Sequence, residues 1–188
     1  VVPVPLDFDA RYSALWKRYV YYVCSGSFYD QLPFVWTRYA WQVRETLDLA
    51  AMEEAARLLS SKEHNFGWMS VIQTGEMRNP HRKVKLTVEK VPMQIDSDDT
   101  PYLLRGKANT IYRITATCDF FLYKMMRRIV AILVAIGQRK SDIDALAMIM
   151  VQHDNDDADT TKIKIPNELS QTAPAKGLCL DHIEYNIP

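Results

Sequence analysis

The 188 residues carry 23 Lys and Arg against 23 Asp and Glu, a formal charge of zero, with 48% apolar and 24% charged side chains. Such a chain is long enough for one domain with a real core. Its composition excludes a disordered segment and a uniformly basic nucleic-acid binder, while a local basic patch balanced by acid elsewhere stays open.

Three cysteines, Cys24, Cys118 and Cys179, form no CxxC pair. They argue against a disulfide framework or zinc module and suit a reducing, intracellular compartment; cytoplasm, nucleus and organelle are not distinguished. The longest apolar stretch, Met125 to Ile136, is interrupted by Arg127 and Arg128 and is too short to span a bilayer, so no membrane partner is expected. Val1-Val-Pro-Val-Pro5 reads as an extended linker without an initiator Met or a secretory signal, and the expectation is that the chain is the back half of something longer.

In chain order, Arg11 to Val23 is rich in aromatic and β-favouring residues and predicts a strand, with Lys17, Tyr19 and Tyr21 on one face and Arg18, Val20 and Tyr22 on the other. Four aromatics between Phe28 and Trp41 show no clear period, and that stretch is left unplaced. Asp48 is a candidate N-cap for a helix in which Leu49, Met52, Ala56 and Leu59 recur at helical spacing. Val84, Leu86 and Val88 alternate with Lys85, Thr87 and Glu89, the pattern of a half-buried strand, and Ile111 to Cys118 is a second β-rich run. Phe121 to Ile136 is the strongest helix, with a broad apolar stripe through Leu122, Met125, Ile129, Val130, Ile132, Leu133 and Ile136 and Gly137 placed to end it. A further helix runs from Ser141 as N-cap to about Gln152, residues 153–172 read as a polar loop, and Leu178 to Tyr185 is a last strand. This order is the βαββαβ sequence of a ferredoxin-like split unit, an α+β fold with an antiparallel sheet and helices on one face, over a single domain of residues 1–188.

Most chemical signatures are absent: there is no phosphate loop, GxSxG or HExxH. His64, His81, His153 and His182 lack metal-ligand spacing and read as surface or helix-end residues, and Asp154 to Asp159 lacks the Gly and Glu of a calcium loop and reads as solvated acid. Two features stand out. The first strand interleaves Arg11, Lys17 and Arg18 with Tyr12, Trp16, Tyr19, Tyr21 and Tyr22, a pattern that can stack an unpaired base while holding its phosphate, or can simply be core. Arg127 and Arg128 interrupt an apolar helix: Arg127 lies near the border of the stripe, one turn after Tyr123, and Arg128 lies opposite the densest apolar side, one turn after Lys124. An Arg at such a border needs a partner or snorkels to solvent.

Three segments resemble one family. Phe8-Asp-Ala-Arg11-Tyr-Ser-Ala with Lys17-Arg-Tyr19-Val-Tyr21, then Phe121-Leu-Tyr-Lys-Met-Met-Arg127-Arg-Ile-Val130, then Thr172-Ala-Pro-Ala-Lys-Gly177-Leu-Cys-Leu180 are similar, in that order, to motifs of TruA-type tRNA pseudouridine synthases. Leu47-Asp48 and His64-Asn-Phe66 fit the same template. The resemblance implies isomerisation of uridine to pseudouridine in the anticodon arm of tRNA, with neither cofactor nor metal. It implies that Tyr19 packs on the target uracil, that Arg127 pairs with the catalytic aspartate, and that Arg11 contacts tRNA. Tyr12, Lys17, Lys124 and Arg128 join Arg11 as expected RNA contacts, and a homodimer is open as in bacterial relatives.

The departures are equally specific. No segment matches the RTDxGV motif that carries the family's aspartate, so the nucleophile is expected before Val1, in a missing N-terminal half, and this chain alone is expected to be inactive. Asp9 and Asp119 lie beside motif residues but are not promoted to that role. Lys124 stands for a usual His, Met126 for Val, Ala131 for Gly, and Gly67-Trp68-Met69 for the usual TSF. The alternative is a non-catalytic ferredoxin-like module that binds RNA or a protein.

Overall fold

Strand β1 (Ala14–Ser25) is the axis about which the other strands are arranged. The computed structural model describes residues 3–6, 8–26, 34–70, 79–92, 110–155 and 164–185. β6 (Thr110–Cys118) runs antiparallel to β1 from Lys17 to Ser25, and β5 (Lys85–Lys90) extends the sheet beyond β6. On the other edge of β1, β7 (Leu178–Tyr185) is antiparallel over Ala14 to Tyr21, and the short β2 (Trp41–Val43) is parallel over Val23 to Ser25. In the order β7-β1-β6-β5 the chain visits β1, β5, β6 and then β7, with α2 (Leu49–Leu59) between β1 and β5 and α3 (Met125–Gly137) between β6 and β7, the split βαββαβ arrangement expected from the sequence.

The first strand begins at Ala14 rather than Arg11, because Asp9 folds the preceding residues into a turn. Its carboxylate accepts from the Arg11 and Tyr12 amides at 2.7 and 3.1 Å, and its carbonyl accepts from Ser13 at 2.8 Å. Phe8 packs edge-on against Tyr185, whose hydroxyl donates to the Ala10 carbonyl, so this turn is docked on the end of β7. The stretch left unplaced in the sequence contains α1 (Phe34–Tyr39), which lays Trp36 on Tyr22 over the face of the sheet holding Cys24, Ala40 and Ile111; residues 27–33 of it lie outside the described residues.

The opposite face carries the main core. Tyr21, Val23, Tyr112, Ile114 and Ala116 meet α2 and α3. Asp48 caps α2 as expected, accepting from the Ala51 amide at 3.1 Å. Helix α3 starts at Met125, four residues later than expected: Lys124 is left-handed at φ 61°, and Phe121 is drawn aside onto Tyr19. Gly137 does not end α3 by its backbone conformation. It lies in the last turn, where a Cβ would stand 2.8 Å from Met52 Cγ and Sδ, so its smallness serves the close approach of α2; the left-handed residue is Arg139, whose guanidinium pairs with Asp48.

Helix α4 (Ile143–Asn155) is capped by the Asp142 carboxylate, which accepts from Ala145 at 2.8 Å, rather than by Ser141. It extends to Asn155, and the short α5 (Asn167–Ser170) occupies part of the expected loop; residues 156–163 lie outside the described residues, with most of the Asp154–Asp159 run. His64 and His153 are not surface residues: both are buried, His153 stacked on Trp68 at 5.6 Å. In β3 (His64–Asn65), which pairs with β4 (His81–Arg82), His64 Nδ1 faces Asp154 at 2.8 Å and Nε2 faces Ser61 Oγ at 3.1 Å. Ser61 also donates to the Leu58 carbonyl at 2.8 Å, which fixes its hydroxyl beside the His64 ring. Among the described residues, no helix is long and apolar enough to cross a membrane.

Candidate active site

Period-two alternation puts Lys17, Tyr19 and Tyr21 on the helix-covered face of β1, and the two tyrosines meet different surroundings. Tyr19 is half-buried, opposite Ala116 and Leu180, with its ring edge-on to Phe121 at 4.9 Å and 88°. Tyr21 is fully buried and its hydroxyl donates to the Pro174 carbonyl at 2.6 Å. Burial pushes that hydroxyl's pKa well above the ordinary phenol value, and the nearby positive charge of Arg127 only partly opposes it. Gly177 abuts the same ring: a Cβ there would stand 2.5 Å from Tyr21 Cε1 and 2.8 Å from the Tyr22 carbonyl oxygen.

Helix α3 contributes Arg127 and Arg128, and their surroundings differ as sharply. Arg127 is half-buried; its Nε donates to the Ala173 carbonyl at 2.6 Å, while the Ala173 amide donates back to the Arg127 carbonyl at 3.1 Å. Its two terminal nitrogens make no hydrogen bond or ion pair among the described residues. Arg128 corrects the expectation from helix geometry. It does not point to solvent: Nη1 donates to the Trp68 carbonyl at 2.7 Å and Nη2 to the Ser170 carbonyl at 3.0 Å, while Nε is buried without a partner. Burial pulls its pKa down. The side of α3 that looks polar in sequence is covered by chain from residues 68 and 170.

Tyr19, Tyr21, Phe121, Arg127 and the 173–177 segment are thus joined by direct contacts into one wall. Lys17 lies on the Tyr19 face opposite Cys118, and Lys124 sits at the start of α3 with Nζ 5.2 Å from the Tyr123 ring centre. Arg11 and Tyr12 are apart from this wall: both are exposed in the Asp9 turn, Arg11 over the Tyr12 ring, and Ala14 to Tyr19 alone is about 17 Å of extended strand. Sequence reasoning missed Arg82, buried, whose Nε donates to the Phe120 carbonyl at 2.7 Å and so holds the loop that carries Phe121. Its only local signal is a cation preceding a strand.

Other chemistry is poorly served. Burial pushes the Cys24 thiol up to about 11 and the Cys118 thiol up to about 12, so neither is a ready thiolate. Among the described residues, no three His, Cys, Asp or Glu side chains cluster as metal ligands. The wall offers an aromatic face, a cation with free donors, and a rigid main-chain frame, a set suited to holding a flat ring beside a carboxylate or phosphate.

Residues 63–186 match the profile of a family described as tRNA pseudouridine synthase. A protein of Moorella thermoacetica named tRNA pseudouridine synthase A is 31% identical over 98% of this chain and 62% of its own length. One of the same name from Shouchella clausii is 31% identical over 97% of this chain and 58% of its own. A tRNA pseudouridine synthase-like 1 of Xenopus laevis is 25% identical over 96% of this chain and 56% of its own. The chain therefore spans between 56% and 62% of the length of these curated relatives.

Proposed function

Because the chain belongs to the tRNA pseudouridine synthase family, we propose that it forms the C-terminal part of a catalytic domain that isomerises uridine to pseudouridine in the anticodon arm of tRNA. The observation that carries this reading is Arg127: a guanidinium oriented through Nε by the Ala173 carbonyl, with both terminal nitrogens unbonded among the described residues and so available to an incoming carboxylate. In this proposal the carboxylate is the catalytic aspartate. The 188 residues contain no RTDxGV segment, so it reaches Arg127 from chain outside them. A two-pronged hold from Arg keeps such a carboxylate ionised and aimed.

The reaction trades the nitrogen–carbon bond between base and sugar for a carbon–carbon bond, so the uracil must be held while detached. Tyr19 is the residue proposed to pack on it; its ring is fixed by Phe121 at the edge, and stacking tolerates reorientation of the base. Lys17 and Lys124 beside the wall, and Arg11 and Tyr12 at the far turn, are the proposed tRNA contacts. Arg128, held by the Trp68 and Ser170 carbonyls, is the least available of the expected contacts.

The test uses the intact protein from its complete gene and an anticodon stem-loop at saturating enzyme. Arg127→Lys keeps charge but loses the fork, and is expected to slow pseudouridine formation about tenfold to a hundredfold, with stem-loop affinity within a few-fold of wild type. Tyr19→Phe is expected to retain affinity and Tyr19→Ala to lose it. Wild-type turnover by Arg127→Lys would overturn the reading.

A further inference from the structure

Tyr21 has a role that its neighbour Tyr19 does not. It is fully buried, so it touches neither base nor phosphate, yet it is bonded to the frame that orients Arg127. We infer that Tyr21 is a positioning residue: its hydroxyl fixes the Pro174 carbonyl and thereby holds the adjoining Ala173 peptide against Arg127.

The geometry that carries this is a short chain of contacts. Tyr21 Oη donates to the Pro174 carbonyl at 2.6 Å. Ala173, one residue earlier, is bonded to Arg127 in both directions, accepting from Nε at 2.6 Å and donating to the main-chain carbonyl at 3.1 Å. Proline at 174 restricts Ala173 to extended backbone and is itself extended, with φ −54° and ψ 151°, so little slack lies between the two carbonyls. From the other side Gly177 meets the Tyr21 ring so closely that no side chain fits between them. The segment is held at both ends, by the hydroxyl at Pro174 and by ring contact at Gly177. Removing the hydroxyl leaves the Pro174 carbonyl without its donor and frees the end of the segment nearest Arg127. A guanidinium whose Nε acceptor wanders loses its aim, although its charge is unchanged.

This inference rests on the function proposed above, and its test keeps the two apart. In the intact protein, Tyr21→Phe retains the ring that Gly177 abuts and removes only the hydroxyl. A circular-dichroism spectrum identical to wild type, measured well below the melting point, establishes that the fold is kept. The single-turnover rate is expected to fall about tenfold while stem-loop affinity stays within twofold. In the Arg127→Lys background, where the aimed fork is already gone, adding Tyr21→Phe is expected to slow the reaction by less than twofold. A wild-type rate for Tyr21→Phe, or a full tenfold loss on top of Arg127→Lys, overturns the positioning role and leaves the proposed function standing. A wild-type rate for Arg127→Lys overturns both.

Discussion

Around Arg127, donors end on main-chain carbonyls: Arg127 on Ala173, Tyr21 on Pro174, and Arg128 on Trp68 and Ser170. Around Asp154, side-chain donors end on a carboxylate. Asp154 takes His64 at 2.8 Å and Lys62 at 3.2 Å, with the Asn65 amide on its other oxygen. A carbonyl orients a cation without cancelling its charge, whereas a carboxylate does both. Among the described residues, the first region therefore keeps its positive charge uncancelled, and the second pairs its carboxylate with neighbouring donors. The difference separates a site wall from a structural clasp better than residue type does, since both regions are rich in cations.

The largest effect is expected where the first region is tightest. Gly177→Ala would place a Cβ against a buried ring and a backbone oxygen, neither free to retreat, and should cost about 3 kcal/mol, read as a melting point roughly 6 to 12 °C lower. An unchanged melting point would show that the 173–177 segment is not clamped.

The second region should respond to pH. Burial pushes the Asp154 carboxyl up, but hydrogen bonds from Asn65, His64 and Lys62 outweigh it and hold it below the ordinary range. A carboxyl lowered in the folded state contributes stability above its unfolded value, near 4, and loses it as pH falls through the folded value. Asp154→Asn should thus cost about 2 kcal/mol at neutral pH, with the gap to wild type closing at strongly acidic pH. Equal costs at all pH values would mean the clasp is not ionic.

The smallest effect sharpens the contrast within the first region. Arg128→Lys exchanges two carbonyl contacts for one and should cost about 1 kcal/mol in stability, with the single-turnover rate of the intact protein within twofold of wild type. Arg127→Lys should do the reverse, sparing stability and slowing the reaction. Matching profiles for the two would erase the distinction between an oriented free cation and a buried one.

The elements legible in the sequence are those whose signal is local. Asp48 caps α2 by its own side chain, and the alternation from Val84 to Val88 follows from one buried face of β5. The order of strands and helices, and hence the split βαββαβ fold, follows from those signals. What was hidden depends on distant chain. The polar side of α3 looked solvent-facing because nothing near Arg128 announces that Trp68 and Ser170 will cover it. His64 looked like surface because its partner Asp154 lies far away in sequence. Tyr19 and Tyr21 share a strand face and a motif, and only the arrival of Pro174 and Gly177 makes one a buried anchor and leaves the other partly open.

The pairing of β1 with β7 joins residues 14–21 to residues 178–185, the widest sequence separation in the sheet. During synthesis, then, one edge of β1 from Ala14 to Tyr21 has no mate until β7 has cleared the ribosome. An unpaired, apolar strand edge is a template for association with other nascent chains. Closure over so long a loop is also slow. Truncation before Leu178 should therefore be felt first as aggregation of newly made protein, ahead of any loss at Arg127, and the yield of soluble chain should depend on chaperone supply more than on the stability of the finished fold.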